Sequence, residues 1–245
     1  MIYFAGDFHL GVPDGNKSRE REKQICDWLN FISADASEIY LMGDIFDFWF
    51  EYKQAVPKGY VRLLGTLAFL TDKGIKISTF KGNHDMWMFG YLPEETGLHI
   101  ISDSLEITRN NKKFFLHHGD GLGKGEPGYR LLRSVFRSRL CQWLFARLHP
   151  NFGIGLALYL SRKSRISQKN RYENYLGDDK EILTQFCIEK LKTEKIDYFI
   201  FGHRHLSLEI LLPGNAKYIN TGEWVHGSSY AKFDGENLHL LKWQP

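Results

Sequence analysis

An α/β fold is predicted for this chain of 245 residues, on three observations. Short apolar runs rich in β-branched and aromatic residues recur at the length of buried strands. Between the early runs lie stretches with apolar residues at helical spacing, the alternation that builds an α/β sheet. Five glycine-containing polar clusters stand directly after apolar runs, where the strands of such a sheet end.

The elements follow in order. "IYFA" (2–5) is the first strand, and Ile25, Trp28, Leu29 and Ile32, spaced i, i+3, i+4, i+7, mark the first helix. "IYLM" (39–42) is the next strand. Leu63, Leu67 and Leu70 make a second helical stripe, with Gly74 placed as its C-cap. "IKISTF" (75–80) and "KFFLH" (113–117) continue the strands. From Tyr129 to His149 one amphipathic helix is expected, with Leu132, Phe136 and Leu140 on one stripe and Arg130, Arg133 and Arg137 on another. Pro150 is expected to stop it, and a second apolar piece runs to Leu160. Leu183, Phe186, Cys187 and Leu191 form a helix before the "YFIF" strand (198–201). "LEILL" (208–212) and "KYIN" (217–220), with "PGN" and "FDGEN" as turns, add antiparallel hairpins. Neither a repeat nor a low-complexity linker interrupts this order, so the chain reads as a single domain over 1–245 with a helical insertion at about 124–176.

Bulk properties narrow the class. With 43% hydrophobic and 25% charged residues the chain is globular rather than disordered. Its three cysteines, widely separated and without a CxxC spacing, suit a reducing compartment and give no zinc knuckle. The N-terminus lacks the pattern of a signal peptide, and the longest apolar run, "FGIGLALYL", has about half the length that spans a bilayer. A cytoplasmic protein is expected. The net charge of +3 selects no partner, but its distribution is uneven. Residues 127–172 hold ten Lys and Arg and no acid, leaving 22 basic against 29 acidic residues elsewhere. The insertion is basic on an acidic body.

The five clusters carry the chemistry. They are "GDFH" (Asp7, His9), "GDIFD" (Asp44, Asp47), "GNHD" (Asn83, His84, Asp85), "HHGD" (His117, His118, Asp120) and "GHRH" (His203, His205). Ligand sites of open α/β sheets form beyond the carboxyl ends of the strands, which would bring these loops together. So many ionisable groups cannot share a small space without compensating positive charge, and divalent metals supply it. A mixed Asp, His and Asn set suits Mn²⁺, Fe²⁺ or Zn²⁺ better than Ca²⁺ or a thiolate site. Two ions match the number of candidates. On this reading His203 and His205 serve different ions and Arg204 points away.

In this order, D-x-H, G-D-x-x-D, G-N-H-D, H-G-D and G-H-x-H resemble the calcineurin-like metallophosphoesterase superfamily. The resemblance implies a four-layer αββα sandwich and a dinuclear centre. It implies Asp7, His9, Asp44 and His205 on one metal and Asp44, Asn83, His118 and His203 on the other, Asp44 bridging. It makes Asn83 and His84 catalytic, one holding phosphoryl oxygens and the other stabilising charge or donating a proton to the leaving group. Asp47, Asp85 and Asp120 would orient these groups, although Asp47 and Asp120 serve equally well as helix or turn caps.

A narrower resemblance rests on "GDIFDFWF", "HHGDGLG", "GYRLLRSVFRS" and "SRKSR". These are similar to the UDP-2,3-diacylglucosamine diphosphatases of lipid A biosynthesis, which carry a helical lid at this position. The family's best-known branch has arginine where this chain has His84. The resemblance implies hydrolysis of UDP-2,3-diacylglucosamine to UMP and 2,3-diacylglucosamine 1-phosphate. Leu132, Phe136, Leu140, Trp143, Leu144 and Phe145 would line a groove for its acyl chains. Tyr129, Arg130, Arg133, Arg162, Lys163 and Arg165 are the candidate substrate contacts. The same face suits an anionic bilayer, so a peripheral place on the cytoplasmic side of the inner membrane is expected.

Competing readings stand beside these. Apolar residues at helical spacing commonly form core, and surface arginines are commonly just solvated. Another phosphodiester or nucleotide is the alternative substrate. A nucleic-acid partner is not expected, because the charges interleave with Leu, Val, Phe and Trp rather than with polar residues and stacking aromatics. A scaffold without metals would show degraded ligands, and all seven are present. His117 should face away from His118 by strand alternation. His99, His149, His226 and His239 are read as surface residues, and Trp224 as packing beneath the site.

Overall fold

The structure, a computed structural model, describes residues 1–123, 127–172, 175, 177 and 180–244, side chains excepted at 127–128 and 165–172. The chain runs β1 (Ile2–Ala5), α1 (Gly15–Ile32), β2 (Glu38–Leu41), α2 (Val61–Asp72), β3 (Lys76–Phe80), α3 (Tyr91–Thr96) and β4 (His99–Ile101). It continues through β5 (Leu105–Arg109), β6 (Lys112–Leu116), α4 (Pro127–Arg137), α5 (Arg139–Phe145), α6 (Pro150–Tyr172) and α7 (Ile182–Leu191). It closes with β7 (Tyr198–Phe201), β8 (Ser207–Leu211), β9 (Lys217–Thr221), β10 (Ser229–Phe233) and β11 (Leu238–Lys242).

Two mixed sheets result, in strand orders β11-β10-β1-β2-β3-β4 and β5-β6-β7-β9-β8. Both faces of each are covered. Between them lie Phe4, Tyr40, Met42 and Phe80 of one sheet against Phe114, Leu116, Ile200 and Ile219 of the other. Outside the first sheet, Ile25, Trp28 and Leu29 of α1 and Leu63, Leu67 and Leu70 of α2 bury the apolar stripes that their spacing predicts. Outside the second, α7 packs Leu183 and Cys187 on Phe115, Phe199 and Phe201. Helix, sheet, sheet, helix is the four-layer arrangement. β1, β2, β3 and β4 run parallel, as do β6, β7 and β9, so several strand ends open on one rim.

Local signals explain the helix ends. Asp14 accepts from the Asn16 and Lys17 amides at 2.9 and 3.0 Å, capping α1. Gly74, at φ +89°, ends α2: its own N–H reaches Thr71 and that of Ile75 reaches Leu70, the paired bonds of a left-handed glycine cap.

Three sequence expectations need correction between β6 and α7. The helix expected over Tyr129–His149 is two, because Ser138 turns extended and its Oγ accepts the Cys141 amide at 3.2 Å as a new N-cap. Pro150 does not stop a helix but begins α6, where its missing N–H is harmless. The six groove candidates also part company. Phe136 and Phe145 pack inward on Phe48, Phe50, Met86 and Trp87, whereas Leu132, Leu140, Trp143 and Leu144 are exposed. Two of the six are half-buried against that aromatic cluster.

Candidate metal centre

The seven metal-ligand candidates occupy loops leaving β1, β2, β3, β6 and β7, and these loops converge. Backbone bonds tie neighbouring loops in register: Asp7 N–H to the Gly43 carbonyl, His9 N–H to that of Asp44, and Gly202 N–H to that of His118, all at 2.8–2.9 Å. Asp7, His9, Asp44, His203 and His205 all adopt positive φ, between 44° and 69°. That conformation is uncommon for residues with a side chain and gathers at functional sites. Gly82 and Gly202 are required on other grounds. A Cβ at Gly82 would collide with Asp44 Oδ1, and one at Gly202 with Asp7 Oδ2.

Two groups of donor atoms meet at Asp44. His9 Nε2 lies 2.9 Å from His205 Nε2, and the two stand 3.6 and 3.4 Å from Asp7 Oδ1. On the other side Asn83 Oδ1 is 3.1 Å from His118 Nε2 and 2.9 Å from His203 Nδ1. Asp44 Oδ2 lies between, 3.9 Å from His9 Nε2 and 3.4 Å from His118 Nε2. Asp7 Oδ1 and Asp44 Oδ2 are buried and accept no well-formed hydrogen bond. Their partner oxygens are used: Asp7 Oδ2 accepts the His203 amide and Asp44 Oδ1 that of His84. Each carboxylate is thus aimed by one oxygen and leaves the other for a cation. Carboxylate, amide oxygen and imidazole together make a donor set that fits divalent transition metals.

Electrostatics make the same demand. Burial would raise the Asp44 carboxyl, but His118, His84 and His9 hold it well below the usual range. Asp7 is likewise held low by His205 and His9 against its burial. Burial disfavours charge on His118, yet Asp44, with Asp7 and Asp120 behind it, raises its pKa to about 10. His203 goes the other way: burial, then the charge on His118, lowers it to about 3. The carboxylates therefore draw a proton onto one imidazole, a need that a divalent cation meets more fully. His118 Nδ1 faces the Met42 carbonyl at 2.8 Å, which fixes a proton there and leaves Nε2 for the site.

The surrounding residues divide by what they touch. Asp85 accepts the amides of Gly82, Ile45 and Phe46, pinning the β2 and β3 loops together; burial and the nearby Asp44 raise it to about 7. Asp47 accepts from Ser161 of α6 at 2.9 Å and stands 3.7 Å from His84 Nδ1. His84 joins His9 and Asp44 as a third possible ligand group. Asp120 accepts from Tyr129 at 2.8 Å and pairs with Arg133 Nε at 2.9 Å. Among the substrate candidates, then, Tyr129 and Arg133 reach the rim of the centre through Asp120. Arg130, Arg162 and Lys163 are exposed, and the Arg165 side chain lies outside the described residues. His117 turns from the centre, accepting the Gly119 amide and facing Asp103 at 3.8 Å.

Sequence reasoning missed Arg21, Glu181, Asn220 and Ser161 as supports of the site. Arg21 of α1 is buried and donates to the carbonyls of Phe8, His9 and Val12 at 2.5–2.7 Å, holding the first loop from beneath. Arg204 does leave the centre, for a buried bidentate pair with Glu181 at 2.7 and 3.0 Å. Asn220 donates to the Gly202 carbonyl. Ser161 was hidden inside the "SRKSR" motif. An arginine between two ligand candidates was the one signal available, since its charge must find a partner.

Comparison with known proteins follows the same line. The family model described as calcineurin-like phosphoesterase matches residues 1–207. A protein of Porphyromonas gingivalis named UDP-2,3-diacylglucosamine hydrolase is 37% identical over 251 aligned residues, covering 98% of this chain and 96% of that one. Proteins of the same name from Haemophilus ducreyi and Tolumonas auensis are 27% and 25% identical, each over at least 95% of both chains.

Proposed function

The chain belongs to the calcineurin-like phosphoesterase family, as a metal-dependent hydrolase, and on that premise we propose that it hydrolyses UDP-2,3-diacylglucosamine to UMP and 2,3-diacylglucosamine 1-phosphate. The observation that carries this is the pair of donor groups sharing Asp44, on a chain similar over its whole length to a protein of that name. We assign Asp7, His9 and His205 to one ion, Asn83, His118 and His203 to the other, and Asp44 to both, with Mn²⁺ the expected metal. Two bound divalent ions would supply the Lewis acidity that activates water and neutralises charge on the phosphoryl oxygens.

The chain's own groups do the rest. Asn83 Oδ1 is turned to His118 and His203, which leaves its amide N–H to donate to a phosphoryl oxygen. His84 Nδ1 lies 3.2 Å from the Asp47 carbonyl, which only accepts, so Nδ1 carries a proton and Nε2 handles the proton of the leaving phosphate. The Asp47 carboxylate stands 3.7 Å from Nδ1, at the same edge of the ring.

The helices α4, α5 and α6 are proposed as a lid over this centre. Its exposed apolar residues include Leu132, Leu140, Trp143, Leu144, Phe152 and Leu160, set among exposed Arg130, Arg139, Arg147, Arg162 and Lys163. Such a face is suited to acyl chains and to an anionic membrane surface. No helix among the described residues is long and apolar enough to cross a membrane, so the proposed attachment is peripheral.

The test is Mn²⁺-dependent release of UMP from UDP-2,3-diacylglucosamine, with UDP-N-acetylglucosamine beside it. Cleavage of the acylated compound alone is expected. Cleavage of a simple aryl phosphodiester with no turnover of either sugar nucleotide would keep the centre and reject the lipid substrate.

A further inference from the structure

Ser161, which supports Asp47, brings α6 to the centre. Ile154, Ala157 and Leu158 lie one and two turns before it and pack on Phe48, Phe50 and Trp87. With Ser161 they form one stripe at helical spacing, so seating the apolar part of the helix sets the position of the hydroxyl. Buried Gly153 lets the helix backbone come close to Tyr52 and Phe145 at the start of that stripe. At its end Ser161 Oγ is 3.0 Å from His84 Nδ1 and donates to Asp47 Oδ2 at 2.9 Å. Because the hydroxyl hydrogen goes to the carboxylate, Oγ accepts from Nδ1, sharing that hydrogen with the Asp47 carbonyl 3.2 Å away. Asp47, Ser161 and His84 therefore form one directed chain of hydrogen bonds, and its middle member comes from a different part of the fold.

We infer that Ser161 is a positioning residue: α6, when seated on the aromatic cluster, clamps the Nδ1 edge of His84 to Asp47 and thereby aims Nε2 at the reacting phosphate. The inference rests on the proposed role of His84, and it adds that this histidine is fully oriented only when the helix is in place. A ligand that seats α6 would then assemble the proton donor as it binds.

The test is a double-mutant cycle of Ser161→Ala and His84→Gln, with Ser161→Thr as the conservative variant. It is run with Mn²⁺ on an aryl phosphodiester and on UDP-2,3-diacylglucosamine, so that failure of the lipid reading leaves the first arm intact. Ser161→Ala is expected to lower kcat about tenfold at unchanged KM, Ser161→Thr to recover most of it, and Ser161→Ala to add nothing in the His84→Gln background. In metal-free protein the His84 Nδ1 proton is expected to exchange slowly with water by NMR, and to exchange faster in Ser161→Ala, where the Asp47 carbonyl alone accepts it. The same loss in both backgrounds, a raised KM with kcat unchanged, or an unaltered Nδ1 proton signal in Ser161→Ala would each overturn the inference.

Discussion

Asp44 shows how much one side chain can be asked to do. One oxygen accepts the His84 amide, the other lies between the two donor groups, and the residue holds a positive φ to manage both. Asp44→Asn keeps the shape and removes the charge, and it is expected to abolish measurable Mn²⁺ binding at one or both positions, read by metal analysis after dialysis. His118 sets a pH dependence. Its pKa in the metal-free protein is raised to about 10, so below that pH a proton must leave before Nε2 can ligate. Mn²⁺ affinity should therefore rise with pH across neutrality, with release of about one proton seen by calorimetry in buffers of different ionisation enthalpy. Affinity that is flat over this range would contradict the assignment of His118. At this scale the sequence was informative where residue type states chemistry: Asp7, His9, Asp44, Asn83, His118, His203 and His205 announce themselves because carboxylates and imidazoles are rarely gathered without cause. It was silent on Ser161 and Arg21, whose types are ordinary and whose importance lies wholly in what they touch.

Elements hold the loops, and the clearest case is α7. Glu181 at its N-terminal end forms the buried pair with Arg204, between His203 and His205. Removing one partner leaves a buried charge, so Arg204→Met is expected to destabilise the metal-free protein by about 3–5 kcal/mol in a urea titration, with much of that recovered when Glu181→Leu is added. Equal destabilisation by the single and the double variant would place the effect in lost packing instead. The elements themselves were legible where period and punctuation agree, as in α2, whose Leu63, Leu67 and Leu70 end at a glycine cap. They were misread where punctuation has two meanings. A proline both stops a helix and opens one, and only the chain's path past Leu148 decides that Pro150 opens α6. Ser138, inside an unbroken apolar stripe, carried no sign that it would cap a second helix.

Across the whole molecule, an acidic body carries a basic and greasy face. That contrast predicts selective adhesion: the protein should sediment with vesicles containing phosphatidylglycerol more than with neutral ones, and Trp143→Ala with Leu144→Ser should reduce this without changing Mn²⁺ content. Equal, weak binding to both vesicle types would remove the membrane surface as a partner. The gathering of five clusters on one rim was readable because each follows a strand, and parallel strands end together. The pairing of β1 with β10 was not, since no local pattern states which strands meet.

That pairing governs when the site can exist. Ile2 lies opposite Phe233, and the Trp224 amide closes on the Asp7 carbonyl, so the first strand made acquires its second neighbour nearly last. During synthesis the ribosome releases Asp7 and Asp44 long before His203 and His205. A half-made chain thus presents both carboxylates with His9 and His118 but without the two imidazoles that follow β7. The full set of donors belongs to the finished chain alone.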